Sequence, residues 1–302
     1  MGPGLVNSVH RRLNSWWNKI RLQSFIRLRG QRASDKIRSL ILEDKPAMVC
    51  RLGTSELTAV FRYSQFMKGK RPYDAKDYAG LDVAAGFFPV NAESVGRYYH
   101  RMVDDFSYID VLGSWLREEL YFRNELKKAV RCPLEDLEPY YHPNPWSEAL
   151  EGKRVLVVHP FAATIERQYQ FRESLFSDNR ILPKFDLATI RAVQSIGTTG
   201  GRAQFSDWFS ALDYMEQAIA KTTFDVAIIG CGAYGLPLAA HVKRLGKVAV
   251  HLGGATQVLF GIRGQRWDSI PKISAFFNSF WTRPDETDRP ENYQQIEGGC
   301  YW

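Results

Sequence analysis

Four clusters of residues combine types and spacings that can do chemistry. The first is Gly230-Cys231-Gly232-Ala233-Tyr234-Gly235, a GxGxxG pattern. Glycines at this spacing permit a tight turn and close approach of backbone N–H groups to a phosphate, and a following helix adds its positive N-terminal end. The second is Arg51-Leu52-Gly53-Thr54-Ser55-Glu56. A carboxylate such as Glu56 at a strand end can ligate a divalent metal or act as a base. The same position also suits a glutamate that only favours a helix N-terminus. The third is His159-Pro160-Phe161, where His159 is a candidate for a phosphate or hydroxyl contact. The fourth is HLGGATQVLFGIRGQRW at 251–267. There Arg263 and Arg266 are candidates to clamp a diphosphate, and Gln257 and Trp267 to face a base or sugar.

Each cluster needs an element to hold it. Ala47–Leu52 is strand-like and ends at Gly53, with a helix expected from Ser55 capped by Thr54 or Ser55. Residues 75–130 read as aromatic-rich helical stretches. The segment 132–146, with four prolines, reads as a connection between two halves. The second half alternates strands and helices. Strands are expected at 154–160, 184–190, 224–229 and 247–252, with helices at 164–177, 206–221 and 236–245. This alternation predicts an α/β fold with a Rossmann-like, mostly parallel sheet flanked by helices. The loops starting at Gly53, His159, Gly230 and Gly253 then all lie at the carboxyl ends of strands, where such sheets bind ligands.

Length, composition and charge limit the function classes. The chain has 302 residues, 45% hydrophobic and 24% charged, enough for a sizeable core. Cys50, Cys132, Cys231 and Cys300 form no CxxC pair, and the six histidines show no zinc spacing. Free thiols in apolar runs favour a reducing, cytoplasmic compartment. No run of 18 apolar residues or secretory signal is visible. Residues 1–40 hold nine basic residues against one acid, Asp35, a net +8, so the rest of the chain is nearly neutral. Residues 5–40 read as a basic amphipathic helix that either packs on the domain or lies on an anionic membrane surface. No recognition motif accompanies the charge, so nucleic acid is not an expected partner. The expected organisation is a helical segment at 1–40, a catalytic domain at 41–270 and a polar C-terminal tail at 271–302.

Three blocks resemble the GT-D glycosyltransferase-like family: CRLGTSEL at 50–57, VLVVHPFAATIERQYQ at 155–170, and FDVAIIGCGAYGLPLAAHVKRLGKVAVHLGGATQVLFGIRGQRW at 224–267. The similarity spans roughly residues 40–270. The resemblance implies transfer of a sugar from a nucleoside diphosphate donor, UDP-linked, to a hydroxyl of a bacterial glycan. A lipid-linked glycan would suit a protein held peripherally on the inner face of the membrane. In members of the family the first block reads like RxGDGE, and its Asp-x-Glu pair holds a divalent metal, manganese or magnesium. Glu56 matches the glutamate, while Thr54 stands where the aspartate would be. By this resemblance Arg51, Gly53, Thr54, Ser55, Gly230, Gly232, Ala233, Tyr234, Gly235, Gly253, Gly254, Gln257, Arg263 and Arg266 form the donor site. Glu56, His159 and His251 are the candidate catalytic groups, and Glu56 is the candidate metal ligand. Two other readings stay open: a non-catalytic GT-D-like scaffold that has lost transfer activity, and an NADP-type enzyme resting on GxGxxG alone. The NAD version is disfavoured, because no acid stands at the end of the strand closing at His251-Leu252-Gly253-Gly254.

Overall fold

A computed structural model describes residues 21–195, 204–290, 293–295 and 297–302. Among these, seven strands form one parallel sheet in the order β3-β2-β1-β7-β6-β4-β5. The strands are β1 (Ala47–Arg51), β2 (Val111–Ser114), β3 (Val130–Pro133), β4 (Arg154–His159), β5 (Asp186–Arg191), β6 (Val226–Ile229) and β7 (Val248–His251). The larger helices are α1 (Gln31–Leu42), α2 (Thr54–Met67), α3 (Ala92–Phe106), α4 (Ala162–Tyr169), α5 (Trp208–Lys221) and α6 (Gly235–Arg244).

The apolar runs of β1, β4, β6 and β7 follow from burial on both faces. Alternate residues of β1 enter opposite cores. Met48 and Cys50 meet the side chains of α2, α3, α5 and α6. Ala47 and Val49 meet those of α1 and α4, with Trp267, Ile273, Trp281 and Trp302. Side-chain caps begin two of the flanking helices. Asn91 and Ser94 form a reciprocal capping box at α3, and Asp207 accepts the Ser210 N–H at 2.7 Å at α5.

The sheet has a switch point. β4 continues to β5 on its outer side, whereas β6 continues to β7 on the inner side, and β4 and β6 are neighbours. Their following loops leave in opposite directions, which opens a crevice at the carboxyl edge. His159 closes β4 and Gly230 follows β6, so these two residues flank the opening.

Several expectations need correction. The region 75–130 contains β2 and the start of β3 as well as helices. Both strands are four residues long and include Gly113, Arg131 or Pro133, which hides them from a periodicity reading. The proline-rich stretch 132–146 is not a simple linker, since Leu137, Tyr140 and Trp146 are buried in the second core. Residues 271–302 are not a loose tail. Ile273, Trp281 and Trp302 are buried, and the buried Asp288 carboxylate accepts from both the N–H and the hydroxyl of Thr164 on α4.

Residues 5–40 are also not one continuous helix. Residues 1–20 lie outside the described residues. Residues 21–25 are helical, Ile26 pairs with Arg131 beside β3, and Gly30 at φ 55° precedes α1. The Gly30 N–H donates to Asp136 at 2.7 Å, which fixes the start of α1 against the proline-rich stretch. Leu22, Ile26, Ala33, Ile37 and Ile41 are buried against the body, while Arg21, Arg27, Arg29 and Arg32 face solvent. In this part the apolar side of the basic segment is taken up by the protein's own core. No helix among the described residues is long and apolar enough to cross a membrane.

Candidate active site

The loops following all seven strands meet in one cavity of about 340 Å³. β1 supplies Arg51 and Gly53 to Glu56, β2 supplies Trp115, and β3 is followed by Leu134 and Glu138. β4 supplies His159 to Phe161, and β5 is followed by Val193 and Gln194. β6 brings Gly230 to Gly232 and Tyr234, and β7 brings His251 to Ala255. Arg266, Trp267, Tyr301 and Trp302 complete the wall.

Most expected donor residues therefore share one cavity, but not all do. Ala233 is buried outside it, and Gly235 is the first residue of α6, packed against His251. Arg263 points away from the cavity. Its guanidinium pairs with Asp268 at 3.3 Å and stacks over Phe277, with the ring centroid at 4.7 Å. Only Arg266 of the expected arginine pair reaches the cavity, where it donates to the Tyr301 hydroxyl at 2.7 Å. Gln257 does line the cavity, with its amide hydrogen-bonded inside the fold. Its Oε1 accepts from Trp267, and its amide donates to the carbonyls of Arg263 and Tyr301.

The glycines of GxGxxG are required by neighbours inside the fold. A Cβ on Gly230 would stand 2.6 Å from the Gly253 carbonyl and 2.8 Å from the His159 ring. Gly232 has φ 55°. A Cβ on Gly235 would overlap the His251 imidazole. The motif thus allows the β6 loop to close on the β4 and β7 loops and on two histidines. Gly264 serves the C-terminal residues similarly, since a Cβ there would approach the Tyr301 carbonyl to 2.7 Å.

Both histidines are unsuited to accept a proton near neutral pH. Burial pushes each pKa down to about 3, and for His251 the Arg51 charge adds to the effect. The Phe161 N–H donates to His159 Nδ1 at 3.0 Å, so the neutral ring carries its proton on Nε2. His159 is therefore a hydrogen-bond donor at the cavity wall. His251 lies 3.2 Å from Cys50 Sγ on one side and against Gly235 on the other. These contacts pack β1, β7 and α6 together, while the ring also borders the cavity.

Glu56 sits in the first turn of α2, with its carboxylate folded back over Gly53. Thr54 beside it is exposed. No group of three His, Cys, Asp or Glu side chains that could hold a metal is found among the described residues. One carboxylate beside a threonine hydroxyl could hold magnesium or manganese only together with phosphate oxygens of a bound ligand and water.

Trp115, Glu138, Tyr301 and Trp302 line the cavity without a counterpart among the expected site residues. Trp115 is 41% exposed, donates its indole N–H to the Leu52 carbonyl at 3.0 Å, and carries the Arg51 guanidinium 5.2 Å from its ring. Its loop is anchored by Glu119, which accepts from the backbone of Trp115 and Leu116 and from the buried Arg131 at 2.9 Å. Tyr301 and Trp302 arrive from the far end of the chain. Glu138 lies just after β3, where Tyr140 donates its hydroxyl to Glu138 Oε2 at 2.5 Å. Burial raises the Glu138 pKa to about 7, with Tyr140 and Arg51 opposing the shift and Glu135 adding to it. The sequence signal was the strand-like Val130-Arg131-Cys132 followed by Glu135, Asp136 and Glu138, masked by its prolines.

No protein-family model, curated protein or solved structure matches this chain. The chemistry of the cavity therefore carries the functional argument.

Proposed function

We propose that this protein is a glycosyltransferase that moves a sugar from a nucleoside diphosphate donor, UDP-linked, to a hydroxyl of a bacterial glycan. The observation that carries this reading is the convergence of Arg51, Arg266, the glycine turns at 230–232 and 253–254, and the His159 donor in one cavity at the carboxyl edge of the sheet. Two guanidinium groups and permissive backbone suit a diphosphate. Trp115, Trp267 and Tyr301 offer ring faces to a base or sugar.

In this reading Arg51 and Arg266 bind the diphosphate and stabilise the charge that builds on it as the bond to the sugar breaks. His159 donates from Nε2 to a phosphate or hydroxyl oxygen. Glu56 contacts the sugar or, together with the diphosphate oxygens, a divalent ion. The tip of β7 carries the buried His251 instead of a ribose-binding acid, which favours a sugar nucleotide over NAD.

The test is calorimetry with UDP-, GDP- and NADP-type ligands, each with and without manganese. Binding of a sugar nucleotide and release of its nucleoside diphosphate are expected. NADPH binding without UDP binding would replace the reading with a cofactor enzyme, and binding of neither would end it. Nucleotide binding without turnover, with Glu56→Ala leaving the cellular glycan unchanged, would favour a scaffold.

The basic N-terminal segment is proposed to contact anionic membrane. Because Leu22 to Ile41 supply core residues, the suitable deletion is residues 1–20, which carry Arg11, Arg12 and Lys19. Binding to anionic vesicles should weaken with salt and with this deletion. Undiminished binding by the shortened chain would remove that role from residues 1–20.

A further inference from the structure

We propose that Glu138 is the general base of this site and takes the proton of the acceptor hydroxyl, an inference that rests on the glycosyltransferase reading. Three geometric observations support it. Glu138 lines the same cavity as Arg51 and Arg266. One carboxylate oxygen, Oε2, is held by the Tyr140 hydroxyl at 2.5 Å, which leaves Oε1 for a substrate. Tyr140 is itself clamped among the rings of Tyr141, Phe176 and Phe276, at centroid distances of 4.8, 6.3 and 5.6 Å. The carboxylate is thus positioned by a rigid aromatic wall, as a group that moves a proton requires.

The charged and titratable groups around Glu138 come from several elements. Tyr140, Tyr141 and Glu135 belong to its own segment. Arg51 reaches it from the end of β1, and Lys272 pairs with Glu135 at 3.5 Å on the outer side. Glu56, His251 and Arg266 share the cavity. Within the cavity the buried imidazoles of His159 and His251 stay neutral at any physiological pH, whereas Glu138 titrates close to pH 7. A base with that affinity is half ionised at the working pH and still holds the proton it accepts.

The step balances without another reagent. The acceptor oxygen forms a bond to the anomeric carbon, and the bond from that carbon to the diphosphate oxygen breaks. The electron pair leaves with the nucleoside diphosphate, whose charge faces Arg51 and Arg266. The hydroxyl proton passes to Glu138 and then to solvent.

The experiment uses the full chain with the UDP-sugar that calorimetry shows to bind. Glu138→Gln keeps an oxygen for Tyr140 to donate to but cannot accept the proton. We expect kcat to fall by about 10²- to 10⁴-fold, with the affinity for UDP within about threefold of the wild type, and with the acidic limb of the pH–rate profile near 7 abolished. Tyr140→Phe removes a hydrogen bond that favours the carboxylate, so its acidic limb should move to higher pH. If Glu138→Gln fails to fold, Tyr140→Phe decides the matter. An unchanged kcat and limb in Glu138→Gln, or an unmoved limb in Tyr140→Phe, overturns the role of Glu138 while nucleotide binding stands. Failure of the wild type to bind any sugar nucleotide overturns the functional reading, and this inference falls with it.

Discussion

The imidazole of His251 fills the space that a Cβ on Gly235 would need, so the last residue of β7 and the first residue of α6 fit together only because one of them is glycine. Gly235→Ala should therefore destabilise the protein by about 1–3 kcal/mol through overpacking, despite the better helix propensity of alanine. His251→Ala should relieve part of that cost. A double-mutant cycle by chemical denaturation checks the pair, and additive effects would show that the two residues do not conflict.

The arginines separate into two kinds. Arg51 and Arg266 line the cavity, whereas Arg263 pairs with Asp268 outside it. Arg51→Ala and Arg266→Ala should each weaken UDP binding by about 1.5–3 kcal/mol, roughly 10- to 150-fold in Kd. Arg263→Ala should leave Kd within about twofold. Titration calorimetry on the three variants measures the difference. Equal losses at all three positions would mean that the nucleotide lies outside the cavity described.

The buried imidazoles and Glu138 give stability opposite pH slopes. The His159 pKa falls from 6.5 to about 3 on folding, so only the unfolded chain takes up this proton as pH drops between those values, and stability is lost over that window. His159→Asn keeps an acceptor for the Phe161 N–H and should lose less stability between pH 6.5 and 3 than the wild type. The Glu138 pKa rises from 4.5 to about 7, so the folded state holds this proton longer, and stability falls as pH rises through that range. Relative to the wild type, Glu138→Gln should gain melting temperature from pH 4.5 to 7 and level off above. Parallel curves for either variant would refute the corresponding shift.

Glu119 organises the rim that carries Trp115. Its carboxylate, fully buried with Arg131, also accepts two backbone N–H groups and the Ser114 hydroxyl. Glu119→Ala leaves the Arg131 charge buried and unpaired, for an expected loss of about 3–5 kcal/mol. Trp115 should then become more mobile, visible as a change in tryptophan fluorescence. A loss below about 1 kcal/mol would show that Arg131 finds water or another partner.

The sequence by itself determined the repeating α/β scaffold and much of the cavity. Short apolar runs at 47–52, 154–159, 224–229 and 247–252, alternating with helical patterns, read as strands buried on both faces of a parallel sheet, and the residues that follow them then gather at its carboxyl edge. Arg51, Gly53, Glu56, His159, Gly230 and Gly253 all follow from that alternation and share one cavity. Tertiary structure decided what each group can do. Burial set the protonation of His159 and His251, a pairing with Asp268 turned Arg263 outward, and three hydrogen bonds tied the Gln257 amide into the fold. Glu138, Trp115 and Tyr301 stood outside the reading because two short strands hid the first pair, and the path of the chain end over Gly264 brought in the third. Periodicity reports which face of an element is buried. Affinity for a proton or a phosphate depends on neighbours distant in sequence, and only the folded chain assembles those.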